Sequence, residues 1–240
     1  MAAGWAGLLL AGWLAASVSG AAGFGGALLL LPVVTYTVGP KAAIPVLTVA
    51  QLLGNLARAG LGWREIRWRP ALAFCAGAIP ASVVGARAFV ALPPGAILRA
   101  IGAFLLLVVA LRRTPIGRRP ISASWLAPAG AEVGLLSALA GSAGPLGAAV
   151  FLGLRLPPTA YVASEAVTAV AMHLTKAVVY GRHAALDAEG LRGGLTLGAA
   201  MVVGAWTGRR VIRSLPERGF DRLVEALLVL AAIPLLLGVG

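Results

Sequence analysis

Charge is scarce in this 240-residue chain: only 12% of residues are Asp, Glu, Lys or Arg, and only eight are acidic. A soluble domain of this length needs a polar surface, which such a composition cannot supply. Histidine occurs twice and cysteine once, at Cys75, which excludes an internal disulfide and any multi-cysteine metal site. Aromatics make up 6% and do not interleave with the arginines, so the net charge of +12 does not indicate nucleic-acid binding. No Walker motif is present, so ATP does not power any step on this chain. Strand alternation is missing too, which excludes a membrane β-barrel.

Hydrophobic residues, by contrast, make up 60% of the chain. Leu/Ala/Val-rich runs of about 17–25 residues recur, each long enough for a ~30 Å hydrocarbon core. In lipid the backbone must bond internally, so such runs imply helices. The expected fold is therefore an all-α polytopic membrane protein. Met1 to Ser19 lacks the basic start of a signal peptide and reads as the first membrane helix.

Apolar runs and Gly/Pro breaks predict five elements in a first half, at 4–20, 24–38, 41–62, 69–91 and 95–111. A second half offers 125–141, 144–154, 158–180, 190–211 and 222–239. The polar stretch between them divides the chain into a repeat at 1–112, a cytoplasmic linker at 113–124 and a repeat at 125–240. Elements 24–38 and 144–154 are short for a crossing and follow glycine clusters, which suggests broken or partly re-entrant segments near the midplane. An offset of 118 residues superposes Gly23 on Gly141, Gly26 on Gly144 and Pro40 on Pro158, then Asn55 on His173 and Arg58 on Lys176.

Loop charge orients the halves. The loops bearing Arg64, Arg67 and Arg69, then Arg112, Arg113, Arg118 and Arg119, are basic and should be cytoplasmic. The counterpart of the first, with Arg182, Asp187, Glu189 and Arg192, is balanced, whereas the Arg209–Arg222 connection is basic again. Matched loops thus carry opposite signatures, which predicts inverted repeats with both termini outside the cytoplasm. A version in which both short elements return to their own side would turn the Arg209–Arg222 loop outward and is disfavoured.

Two constellations could carry chemistry. Gly23, Gly25 and Gly26 with Pro32, and the matching Gly141, Ser142, Gly144 and Pro145, would let a helix break inside the membrane. The helix beginning after such a break aims its positive end at a cavity, which suits an anion; close helix packing is the bland alternative. On the element at 158–180, Glu165, Thr168, Met172 and Lys176 share one face with His173 on its flank. Gln51, Asn55 and Arg58 share a face of the matched element. Arg58 and Lys176 would converge on one anion site unless they snorkel to the nearest surface. Glu165 and His173 are candidates for proton coupling.

These motifs resemble the sulfite exporter TauE/SafE family, also called the toluene-sulfonate uptake permease family. Gly23-Phe-Gly-Gly26 with Pro32 is similar to its Gly-rich turn, and the string from Ser164 to Gly181 to a helix of one branch. The likeness spans nearly the whole chain. It implies secondary transport of a small sulfur-containing anion, such as sulfite or an organosulfonate, across a bacterial inner membrane. Substrate contacts are then expected near the two Gly-rich turns. One departure stands out: the second turn reads Gly-Ser-Ala-Gly-Pro rather than a glycine run. The expected partners are a small anion and the lipid bilayer, with no cofactor, no metal and no catalysis; a homo-oligomer is compatible with the sequence. A passive anion channel would use the same cations. A membrane-embedded hydrolase built on Ser142 and His173 is the reading from a different class.

Overall fold

The computed structural model describes residues 2–22, 26–112, 120–211 and 237. Within them the chain forms helices and no strand. They are α1 (Ala2–Ala22), α2 (Gly26–Val38), α3 (Pro40–Leu61), α4 (Trp68–Ala91), α5 (Pro94–Arg112), α6 (Leu126–Ala140), α7 (Gly144–Gly153), α8 (Pro158–Arg182) and α9 (Ala188–Val211). Gly23, Gly25, the linker 113–119, the Arg213–Arg222 part of the basic loop and the element at 222–239 lie outside the described residues.

Local chemistry explains the boundaries. Proline opens α3, α5 and α8, where its missing N–H costs nothing and its fixed φ is already helical. Gly39, at φ 81°, turns the chain from α2 into α3. Gly141, at φ 83°, ends α6 in the left-handed conformation that a side chain would strain. Four described helices are long and apolar enough to cross a bilayer: Pro40–Leu61, Trp68–Ala91, Ala123–Ala140 and Thr159–Arg182. The chain is a multi-pass helical membrane protein.

At the centre α3 crosses α8, α4 packs against α6 and α8, and α9 packs against α1 and α3. Exchanging each helix for its counterpart 118 residues away returns the same set of pairs. Counterparts also run in opposite directions. Gly62, just past α3, abuts Ala163 near the start of α8, and the Arg67 N–H donates to Ser164 Oγ at 2.8 Å. At the other end of this crossing, Lys41 and Pro45 share a cavity wall with His183 and Asp187. The two helices are therefore antiparallel. In contrast α4 and α6 run parallel, Phe74 meeting Gly130, Ala78 meeting Gly134 and Gly85 meeting Ala138. The same holds for α1 and α9, where Gly12 meets Leu197 and Ser17 meets Thr207.

The short helices complete two hairpins. The Ile121 N–H, just before α6, donates to the Gly153 carbonyl at the end of α7 at 3.1 Å. Phe151 of α7 packs at a tilt against Phe74 near the start of α4, with centroids 5.4 Å apart. So α7 returns toward the face on which α6 began, leaving the 141–143 tip inside the molecule. Its ten residues rise only about 15 Å, half of a ~30 Å core. The thirteen residues of α2 likewise rise only about 20 Å and end on the opposite face, at Gly39.

Lipid tails offer no hydrophobic drive between helices, so small residues and close backbones must supply the packing. A Cβ at Gly130 or Gly77 would collide with the carbonyl of Phe74 or Ala127 across the α4–α6 seam. Gly130→Leu is therefore expected to abolish a monodisperse detergent-solubilised peak. Gly60→Ala, where nothing lies within 4 Å, should leave it intact and raise stability by up to ~1 kcal/mol. Size-exclusion profiles and melting curves of the two variants check this.

Candidate functional site

The hairpin tip, the α3–α8 crossing and the start of α2 enclose a cavity of about 50 Å³. That is room for on the order of four water-sized groups. Its polar wall comes from Gln51, Asn55 and Arg58 on α3, and from Glu165, Thr168 and His173 on α8. Ser137 of α6, with Ser142 and Gly144 of the tip, closes the other side. Ala27 of α2, Met172 and Met201 supply apolar surface.

Spacing explains why one side of each central helix does this work. Gln51, Asn55 and Arg58 recur at helical intervals, so they share a stripe facing α8 instead of lipid. Gln51 Nε2 donates to the Gly141 carbonyl at 3.2 Å and so ties the hairpin tip to α3. Asn55 Nδ2 is turned back onto the Gln51 carbonyl at 2.9 Å. On α8, Thr168 Oγ1 donates to the Glu165 carbonyl at 2.8 Å.

Arg58 and Glu165 form an ion pair across the crossing, with side chains only 8% and 6% exposed. Arg58 thus turns inward to a carboxylate instead of snorkelling to the 64–69 loop. Lys176 is completely buried and does not snorkel either. Its ammonium donates to Ser137 Oγ at 2.8 Å and to the Ser137 carbonyl at 3.2 Å. Lys176 is not itself part of the cavity wall, but Ser137 is. Among the described residues no carboxylate pairs with Lys176.

His173 is 3% exposed, and its Nδ1 has no hydrogen-bond partner among the described residues. Ser142 Oγ accepts a long hydrogen bond, 3.4 Å, from the Gly144 N–H. No hydrogen bond joins Ser142 to His173, although both line the cavity, so the nucleophile–base contact of a hydrolase is not formed.

The start of α7 offers less than a full nest of amides. Pro145 has no N–H, and those of Leu146 and Gly147 bond to the Ala143 carbonyl at 3.0 and 3.1 Å. What reaches the cavity is the Gly144 amide and the positive end of the helix dipole. Of the residues singled out from sequence, Asn55, Arg58, Ser142, Gly144, Glu165 and His173 line one cavity. Gly26 opens α2 beside it, Gly141 contributes its carbonyl to Gln51, and Lys176 stands one hydrogen bond behind. Sequence reasoning passed over Ser137. A signal was present: the offset pairing Arg58 with Lys176 also pairs Ser19 with Ser137, each four residues before a glycine break.

A multi-pass helical bundle with a buried polar cavity where short helices meet has the architecture of a solute carrier. The chain belongs to the sulfite exporter TauE/SafE family, whose model matches residues 8–235. It is thus a member of a membrane transporter family. No curated protein and no solved structure matches it significantly.

Proposed function

We propose that the protein is a secondary transporter moving a small sulfur-containing anion, sulfite or an organosulfonate, across a bacterial inner membrane. One observation carries the choice of an anion. Among the described residues Arg58 and Glu165 cancel each other, and Lys176, when protonated and hydrogen-bonded to the cavity wall through Ser137, gives the site a positive charge for an anion to balance. The volume suits a sulfur bearing three oxygens better than a bulky solute. Gln51, Arg58, Ser142 and His173 are the contacts available to it, with the Gly144 amide reachable if it gives up its long bond to Ser142. Glu165 and His173 are the groups through which proton movement would couple to transport.

In this reading residues 1–112 and 125–240 are inverted repeats joined by the linker 113–124, and the face bearing Arg64 is cytoplasmic, with both termini on the other side. Opposed directions of matched helices and their exchangeable pairing support it. Rocking of one half against the other would expose the central cavity to each side in turn.

Purified protein in proteoliposomes should take up radiolabelled sulfite, and an imposed proton gradient should drive accumulation above the external concentration. Uptake that only equilibrates, whatever the gradient, would identify a passive channel. Absence of uptake beyond protein-free vesicles would refute the assignment.

A further inference from the structure

Resting on the anion-transport reading, we propose that Ser137 is the hydrogen-bond donor that seizes the anion, and that Lys176 acts through it as a positioning residue. The argument is one of proton direction. While Lys176 carries its proton it donates and cannot accept, so in the 2.8 Å contact the Ser137 oxygen is then the acceptor. The hydroxyl proton must then point elsewhere.

In a helix, serine and threonine usually send that proton to a carbonyl one turn back. Ser17, Thr35, Thr175 and Thr196 all do so here, at 2.7–2.8 Å. Ser137 has no such bond, and its hydroxyl finds no acceptor among the described residues. Its side chain is 2% exposed and lines the cavity. A buried hydroxyl without an acceptor, polarised by a cation on its far side, is a donor matched to an oxyanion.

The arrangement lends the anion a positive charge without letting it meet a primary amine. It also fixes the ammonium: the Ser137 oxygen and carbonyl hold two of its three protons. Tyr180 braces the same segment of α6 by donating to the Ala138 carbonyl at 2.8 Å. An oxyanion of sulfur supplies the acceptor that the hydroxyl lacks, while a neutral solute of the same size gains much less.

Sulfite uptake by proteoliposomes, read as KM and Vmax, tests this on Ser137→Ala, Ser137→Cys and Ser137→Thr. Thr keeps a strong donor and Cys a weak one. Ala and Cys should raise KM on the order of thirtyfold, with Vmax within about twofold and Thr near the parent value. Lys176→Met should raise KM in the parent, yet add no more than about threefold to Ser137→Ala, because the pair acts as one unit. Should Ser137→Ala fail to give a folded peak, the Cys and Thr variants decide the question alone. Parent-like KM in both Ala and Cys would overturn the proposal, as would a full additional penalty from Lys176→Met on Ser137→Ala. Absence of uptake by the parent protein would instead strike the transport reading itself.

Discussion

Arg58→Met is expected to leave the protein poorly folded and inactive, and Glu165→Gln to weaken it less severely. The two side chains form an ion pair at the α3–α8 crossing, almost fully shielded from solvent. Removing one member of such a pair strands the other charge in a low-dielectric interior and costs about 3–5 kcal/mol. Against a net stability of ~5–15 kcal/mol that is a large fraction. Gln retains the shape of Glu and one acceptor oxygen, so its cost falls toward the lower end. The double variant Arg58→Met/Glu165→Gln should melt closer to the parent, since buried pairs replaced together are often neutral. It should still transport poorly, because the guanidinium on the cavity wall is gone. Melting curves in detergent check the first part and proteoliposome flux the second. Single variants that melt like the parent would mean that the pair carries no structural weight.

An all-or-none contrast is expected in the labelling of the two faces. In a Cys75→Ala background, Glu189→Cys should react with a membrane-impermeant thiol reagent on intact cells. Arg64→Cys should react only after permeabilisation. Both native side chains are exposed, and the 25-residue α8 separates the faces on which they lie. The Arg-rich 62–69 segment assigns its face to the cytoplasm by the positive-inside rule. Labelling of both positions from the same side would contradict the inverted arrangement of the halves, and exchanged labelling would reverse the orientation.

Helix boundaries were readable because proline and glycine punctuate this chain so strictly: α3, α7 and α8 begin at or within two residues of the positions that Pro40, Gly144 and Pro158 suggest. The two helices paired by the offset of 118 residues are the ones that cross at the cavity. The offset misled on which side chains meet there. Because α3 and α8 cross antiparallel, matched residues sit toward opposite ends of the crossing, so Arg58 faces Glu165 instead of lying beside Lys176. By the same symmetry the position matched to Glu165 is Leu47, 118 residues earlier, which supplies no acid to Lys176. Spacing along one helix shows which residues share a face, but not what the facing helix brings to it. Ser137 was overlooked for that reason: its role depends on Lys176 from α8, and its pairing with Ser19 under the same offset does not reveal what the facing helix brings to it.

The most direct test of the account is equilibrium binding of radiolabelled sulfite to purified protein and to Gly147→Leu. Gly147 lines the cavity, and a Cβ there would meet nothing closer than 3.8 Å. A leucine should therefore fit at its root while its branch fills the space reserved for the anion. Saturable binding to the parent, lost in a Gly147→Leu protein that melts at the same temperature, is the predicted result. Undiminished binding to that variant, or none to the parent, would contradict a substrate site at the tips of the broken helices.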